Sequence, residues 1–101
     1  MNNVVIVIGN ANETLNLTEL CEACHISSDY IYDLIKHGII QPRTSASEWI
    51  FNLSEVRRIK TVLRLQRDLE VNLPSAALIL DMLEELNELR TRVAMCDRYH
   101  L

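Results

Sequence analysis

The sequence predicts a mainly α-helical domain: a winged helix-turn-helix head with a small β wing and strand, followed by a long C-terminal helix. Composition points there first. Of the 101 residues 49% are apolar while only 2 are Gly and 2 are Pro, a balance that suits packed helices and not a disordered chain. Two short helical segments joined by about three residues then make a helix-turn-helix. Finally, the last third carries apolar residues at alternating spacings of three and four, the pattern of one long helical stripe. A chain of this size builds one modest core, so residues 1–72 as the head and 73–101 as the terminal helix are expected to form one compact unit.

The run Val4-Val5-Ile6-Val7-Ile8, closed by Gly9-Asn10, predicts a short β-strand. It is too short, and lacks the basic start, for a secretory signal, and a membrane span needs about 20 apolar residues, so a cytoplasmic protein is expected. Residues 10–14 form a polar loop. Thr18 is expected to cap a short helix over 19–24 by accepting an orphan amide of its first turn. His25-Ile26 make a tight turn, and Ser27 caps a second helix over 28–37 that Gly38 ends in a left-handed conformation. Ile31, Leu34 and Ile35 share the inward face of that helix.

Pro42 bars further helix, and Trp49-Ile50-Phe51 has strand character, so residues 39–51 predict a wing with which the N-terminal strand can pair. Asn52, with Glu55 three residues on, predicts a capping box for a third helix over 54–70, with Val56, Ile59, Val62 and Leu63 facing the core. Asn72-Leu73-Pro74 opens the last helix, since proline suits a first turn. On it Ile79, Met82, Leu86, Leu89, Val93 and Cys96 occupy alternating a and d positions over about two and a half heptads. A stripe of this length must be covered, and pairing with a second copy of the chain is expected.

Charge bounds the function. The formal net charge is −4, and its position matters more than its size. Residues 1–50 carry two cations against six carboxylates, while residues 51–101 balance at eight of each. The second helix, which in a DNA reader faces phosphates and base edges, presents Asp29, Tyr32, Asp33 and a single Lys36. Carboxylates repel phosphate, and few cations are there for counterion release, so DNA binding is disfavoured. A basic stripe of Arg57, Lys60, Arg64 and Arg67 lies on the third helix near Asp68 and Glu70. It is expected to be a solvated face, the alternative being a DNA-binding regulator that uses it together with Arg43.

No enzyme signature is present: there is no Gly-rich phosphate loop and no His-Glu-x-x-His. Cys21-Glu22-Ala23-Cys24-His25 matches the haem-attachment pattern, but that attachment needs export. Cys21 and Cys24 with Cys96 and His100 would be a permissible zinc set, yet the two pairs are far apart in sequence, and buried thiols are expected instead. No cofactor or metal is expected.

The order of parts resembles the MerR-type winged-helix head, through Thr18-Glu19-Leu20-Cys21, the turn at His25-Ile26-Ser27, Gly38-Ile39-Ile40-Gln41-Pro42, the short wing and Ser54-Glu55-Val56-Arg57-Arg58-Ile59. That family carries an Arg followed by aromatics on its second helix and a Gly-Tyr-Arg in its wing. Here those helix positions hold Tyr32 and Asp33, and the wing runs from Ser45 to Phe51 without them. The chain is more closely similar, over about residues 18–92, to the CbpM-type chaperone modulators. The likeness rests on Ile39-Ile40-Gln41-Pro42-Arg43, Trp49-Ile50-Phe51, Arg64-Leu65, Arg67-Asp68-Leu69, Leu73-Pro74, Ala77, Leu80 and Met82. The resemblance implies a partner and not a reaction: the J domain of a DnaJ-like co-chaperone of the curved-DNA-binding type, held in competition with Hsp70. A J domain meets Hsp70 through a basic helical surface, which an acidic module can occupy. Exposure and charge nominate Asp29, Tyr32, Asp33 and Glu48 for that contact, with Trp49 as an aromatic anchor whose plainer role is packing against the third helix.

Overall fold

Side-chain caps set the element boundaries. The computed structural model describes residues 13–99, which form β1 (Thr14–Leu15), α1 (Leu17–Cys24), α2 (Ser28–Lys36), β2 (Arg43–Ser45), β3 (Glu48–Asn52), α3 (Leu53–Leu69) and α4 (Leu73–Tyr99). The expected strand at residues 4–8 lies outside the described residues. The fold is mainly α, with the long terminal helix the sequence predicts.

α1 is capped by Asn16, not Thr18. Its carboxamide accepts from the Glu19 amide at 2.8 Å while the Glu19 carboxylate accepts from the Asn16 amide at 2.9 Å, so the helix starts at Leu17, two residues before the expected start. The shift follows from reciprocity: Asn16 and Glu19 satisfy two orphan amides at once, whereas Thr18 would satisfy one. Asn52 and Glu55 make the same box at α3, as the spacing predicts. Ser27 caps α2, accepting from the Tyr30 amide, and Asn72 accepts from the Ser75 amide at the head of α4.

The C-terminus of α2 closes as a Schellman turn. The Ile39 amide donates to the Leu34 carbonyl at 2.9 Å and the Gly38 amide to the Ile35 carbonyl at 3.0 Å, with Gly38 at φ 74°. His25 takes the same left-handed role after α1, at φ 58°.

β3 is the central strand, antiparallel to both neighbours. Thr14 and Leu15 oppose Asn52 and Phe51, and Arg43, Thr44 and Ser45 oppose Ile50, Trp49 and Glu48. Thr14, assigned by sequence to a polar loop, is therefore a strand residue; two residues carry too little alternation to reveal a strand, and their pairing with Asn52 and Phe51 is long-range. The wing turn is two residues, Ala46 and Ser47, both with positive φ (53° and 65°). Both central positions of a type I′ hairpin turn require that region, and here neither is filled by Gly or Asn.

One core fills the space between these elements. Leu20, Ile31, Leu34, Phe51, Ile59, Val62 and Ala76 are fully buried, with Val56, Ile39, Ile40 and Leu80 close behind. Ile35 and Leu63, expected in the core, are half-buried at its margin. Ala76 and Leu80 of α4 join this core, and from residue 81 to 98 every residue of α4 is exposed.

Left-handed backbone costs non-glycine residues roughly 1–2 kcal/mol each. Replacing Ala46→Asn together with Ser47→Gly should therefore raise the stability of the head by about 1–2 kcal/mol, seen as an upward shift of several degrees in the thermal midpoint.

Candidate functional site

Helical spacing places Asp29, Tyr32, Asp33 and Lys36 on one face of α2, opposite the buried Ile31 and Leu34, and all four are exposed. On β3, Trp49 shares a face with the buried Phe51, two residues on. Its ring meets Phe51 edge-to-face at 6.3 Å and Tyr32 at 5.8 Å. Trp49 thus packs on α2 through Tyr32, whereas packing on the third helix was expected. The two aromatics remain 36% and 47% exposed, which makes them a rigid apolar ledge joining helix and wing, with Asp29 and Asp33 a helical turn or less from Tyr32.

Glu48 begins β3 opposite Ser45, beside the wing turn, and is exposed. The cations close to this surface in the fold are Lys36, at the end of α2, and Arg43, opposite Ile50 on β2. The basic stripe is elsewhere. Arg57, Lys60, Arg64 and Arg67 are all exposed on α3, and Arg67 Nε donates to Asp68 at 2.9 Å.

Arg58, for which no role is expected from sequence, holds three elements together. Its Nε donates to the Ile39 carbonyl at 2.6 Å, and its terminal nitrogens pair with Glu84 and, at 4.0 Å, Asp81. It ties the turn after α2 to the first half of α4 from its place on α3. A signal was available: in the pair Arg57-Arg58 only Arg57 keeps the spacing of the basic stripe, so Arg58 points to another face. The Tyr30 hydroxyl similarly donates to the Gln66 side chain, joining α2 to the end of α3.

The cysteines separate by environment. Cys24 is buried, Cys21 half-buried and Cys96 exposed. Burial pushes the Cys24 thiol up from 9.0 to about 11, against a smaller opposing pull from the Lys60 ammonium. Among the described residues no three His, Cys, Asp or Glu side chains stand close enough to hold a metal ion, and His100 lies outside them. No described helix is long and apolar enough to cross a membrane.

On α4, Met82, Leu86, Leu89 and Val93 are all exposed, as is Cys96, while Ile79 is half-buried beside the core. At about 100° per residue this stripe centres roughly 130–140° around the helix from the side that Ala76 and Leu80 bury. Leu86, Leu89 and Val93 line a shallow groove edged by Arg90 and Asp97.

Residues 15–98 match the model of the MerR HTH family regulatory protein family. A chaperone modulatory protein CbpM from Coxiella burnetii (strain Dugway 5J108-111) is 30% identical over 94 residues, 92% of this chain and 89% of that protein. The protein of the same name from Pseudomonas entomophila (strain L48) is 30% identical over 82 residues, 80% of this chain and 81% of that one. That of Pseudomonas putida (strain W619) is 29% identical over the same length.

Because the folded state holds the Cys24 proton above the thiol's ordinary 9.0, the unfolded chain loses it first as pH rises, and stability falls from about pH 9 through 11. The Tyr30 phenol, also raised by burial and by Asp33, tilts the same way. Denaturant titrations across that range should show a shallower alkaline decline in Cys24→Ala, from a lower starting stability, with the Tyr30 contribution remaining.

Proposed function

The chain belongs to the CbpM-type family of MerR-like proteins, and from that premise we propose that it modulates a chaperone by binding the J domain of a DnaJ-like co-chaperone, in the cytoplasm, where it competes with Hsp70. The observation that carries this reading is the character of the surface on α2 and the wing. Where a DNA-reading winged helix needs cations, this one exposes Asp29, Asp33 and Glu48 around the Tyr32–Trp49 ledge. Carboxylates at that position oppose phosphate and attract a basic helix. The ledge adds the buried-aromatic anchor that protein interfaces favour, because Tyr and Trp bring large contact area with few rotamers to freeze.

The work is done by occupancy. A basic helical surface that Hsp70 must reach is covered, and rim charges chiefly set how fast the partner arrives and how strongly salt weakens it. Asp29, Tyr32, Asp33, Glu48 and Trp49 are the residues assigned to the contact. The matched family model is that of a regulatory protein, and were that role DNA binding, the Arg57, Lys60, Arg64, Arg67 stripe with Arg43 is the surface it would use.

Titration with a J domain and, separately, with duplex DNA at about 150 mM salt, where non-specific electrostatic binding is already weak, tests the reading. The expected result is saturable J-domain binding without DNA binding. Asp29→Lys with Asp33→Lys should weaken that binding on the order of tenfold or more, mostly through slower association. DNA binding alone, or unchanged J-domain affinity in the double variant, would overturn it.

A further inference from the structure

Cys21 and Cys24 take no part in the α2 surface. They close the last turn of α1 at i and i+3, the spacing that sets two side chains on one helix face. Their environments differ. Cys21 is half-buried and reachable from solvent, whereas Cys24 is 5% exposed and packed in the core. We propose that this pair is a modification site, at which a small peroxide oxidises the two thiols to an intrachain disulfide.

Backbone geometry permits the bond. Helical rise and radius set the two Cα atoms about 5 Å apart, inside the disulfide range of about 4.4–6.8 Å. The Cβ atoms, about 5–6 Å apart on a regular helix, must close to about 4 Å. The end of α1 can supply that movement. Cys24 is the last helical residue, and His25 follows it in a left-handed conformation. The amides of His25 and Ile26 both donate to the Cys21 carbonyl, the latter at 3.1 Å, so the helical ladder already stops there. Tightening therefore falls on a terminal turn, where 3₁₀ geometry is commonly adopted.

Burial assigns the order of events. The Cys21 thiolate attacks one oxygen of hydrogen peroxide, the O–O bond breaks, and the departing hydroxide takes up a proton as water, leaving Cys21 a sulfenic acid. Cys24 then attacks that sulfur, and its proton leaves with the hydroxyl as a second water. Two thiols and one peroxide give one disulfide and two waters, the sulfurs supplying the two electrons. Burial that pushes the Cys24 thiol up to about 11 keeps it protonated, and so spares it direct attack. The Lys60 ammonium, which pulls the other way, favours the thiolate as Cys24 displaces the hydroxyl.

The bond lies one short turn from the acidic face. Cys24 shares the core with Ile31, Leu34 and Phe51, and only His25, Ile26 and the cap Ser27 separate it from α2. A sulfur drawn toward Cys21 moves to the edge of that core and pulls the turn with it, which shifts α2 against β3. Tyr32 and Trp49, 5.8 Å apart across that junction, register the change. Its effect on partner binding rests on the J-domain reading; the disulfide itself does not.

The full chain carrying Cys96→Ser, which removes the exposed third thiol, should lose about 2 Da on mild treatment with hydrogen peroxide and regain it with dithiothreitol. Emission from Trp49, the single tryptophan, should shift and recover in step. In the same background Cys24→Ala should stop at a Cys21 sulfenic acid that dimedone traps. Cys21→Ser should leave Cys24 oxidising on the order of a hundredfold more slowly. J-domain affinity should fall several-fold in the oxidised protein. Absence of the mass loss, over-oxidation of Cys21 in its place, or equal reactivity of the two single thiols would overturn the proposal. Unchanged affinity after complete oxidation would overturn the link to the acidic face. A reduced protein that binds no J domain would overturn the functional reading and leave the disulfide standing.

Discussion

Strand β3 is five residues long, and four of them tie the rest of the fold together. Phe51 is fully buried and gives the core its largest side chain. Asn52 ends the strand and, through its carboxamide, starts α3. Ile50 and Phe51 are paired on opposite edges, to β2 and β1, and Trp49 reaches Tyr32 on α2. Strand alternation produces this division of labour, because residues two apart must share a face: once Phe51 turns inward, Trp49 is carried to the same side of the sheet, at the margin of the core. The site is a consequence of that geometry. An aromatic at the edge of the core is held rigid below and left wet above, and that is the condition for an anchor.

The same logic separates the exposed faces of α2 and α3 electrostatically. α2 must turn Ile31 and Leu34 inward, so the residues at the complementary spacing, Asp29, Tyr32, Asp33 and Lys36, necessarily face out. Their identity is free of packing constraints, and a winged-helix frame can change its partner by changing them alone. α3, packed by Val56, Ile59 and Val62, frees Arg57, Lys60, Arg64 and Arg67 in the same way. Shape and charge therefore vary independently here, and the charge on the α2 face, more than the fold, separates a protein-binding module from a DNA reader.

Arg58 shows how the long helix is joined to this frame. α4 contributes only its first turns to the core, so apolar burial alone fixes little of its direction. A guanidinium reaching the Ile39 carbonyl on one side and Glu84 and Asp81 on the other adds a directional tie, since its planar fork fixes angles that packing leaves loose. Beyond Glu84 every residue of the helix through 98 is exposed, and the apolar stripe runs on in the open.

Much of this was legible in the residues. The capping box at Asn52, the Ser27 cap, the glycine turn at Gly38, the wing and the terminal stripe all follow from rules that act within four residues or within one helical face, where sequence neighbours are also spatial neighbours. The acidic character of α2 was equally plain, because charge needs only a face assignment. The choice of Asn16 over Thr18, the strand at Thr14–Leu15, the stacking of Trp49 on Tyr32 and the inward turn of Arg58 were settled only in three dimensions. Each depends on a partner between 17 and 38 residues away, or on competition between two adequate local caps, and local propensity carries no information about either. The sequence by itself determined which faces are apolar and which are charged; the tertiary structure alone decided which faces meet, because that choice is made by the one core all of them must share.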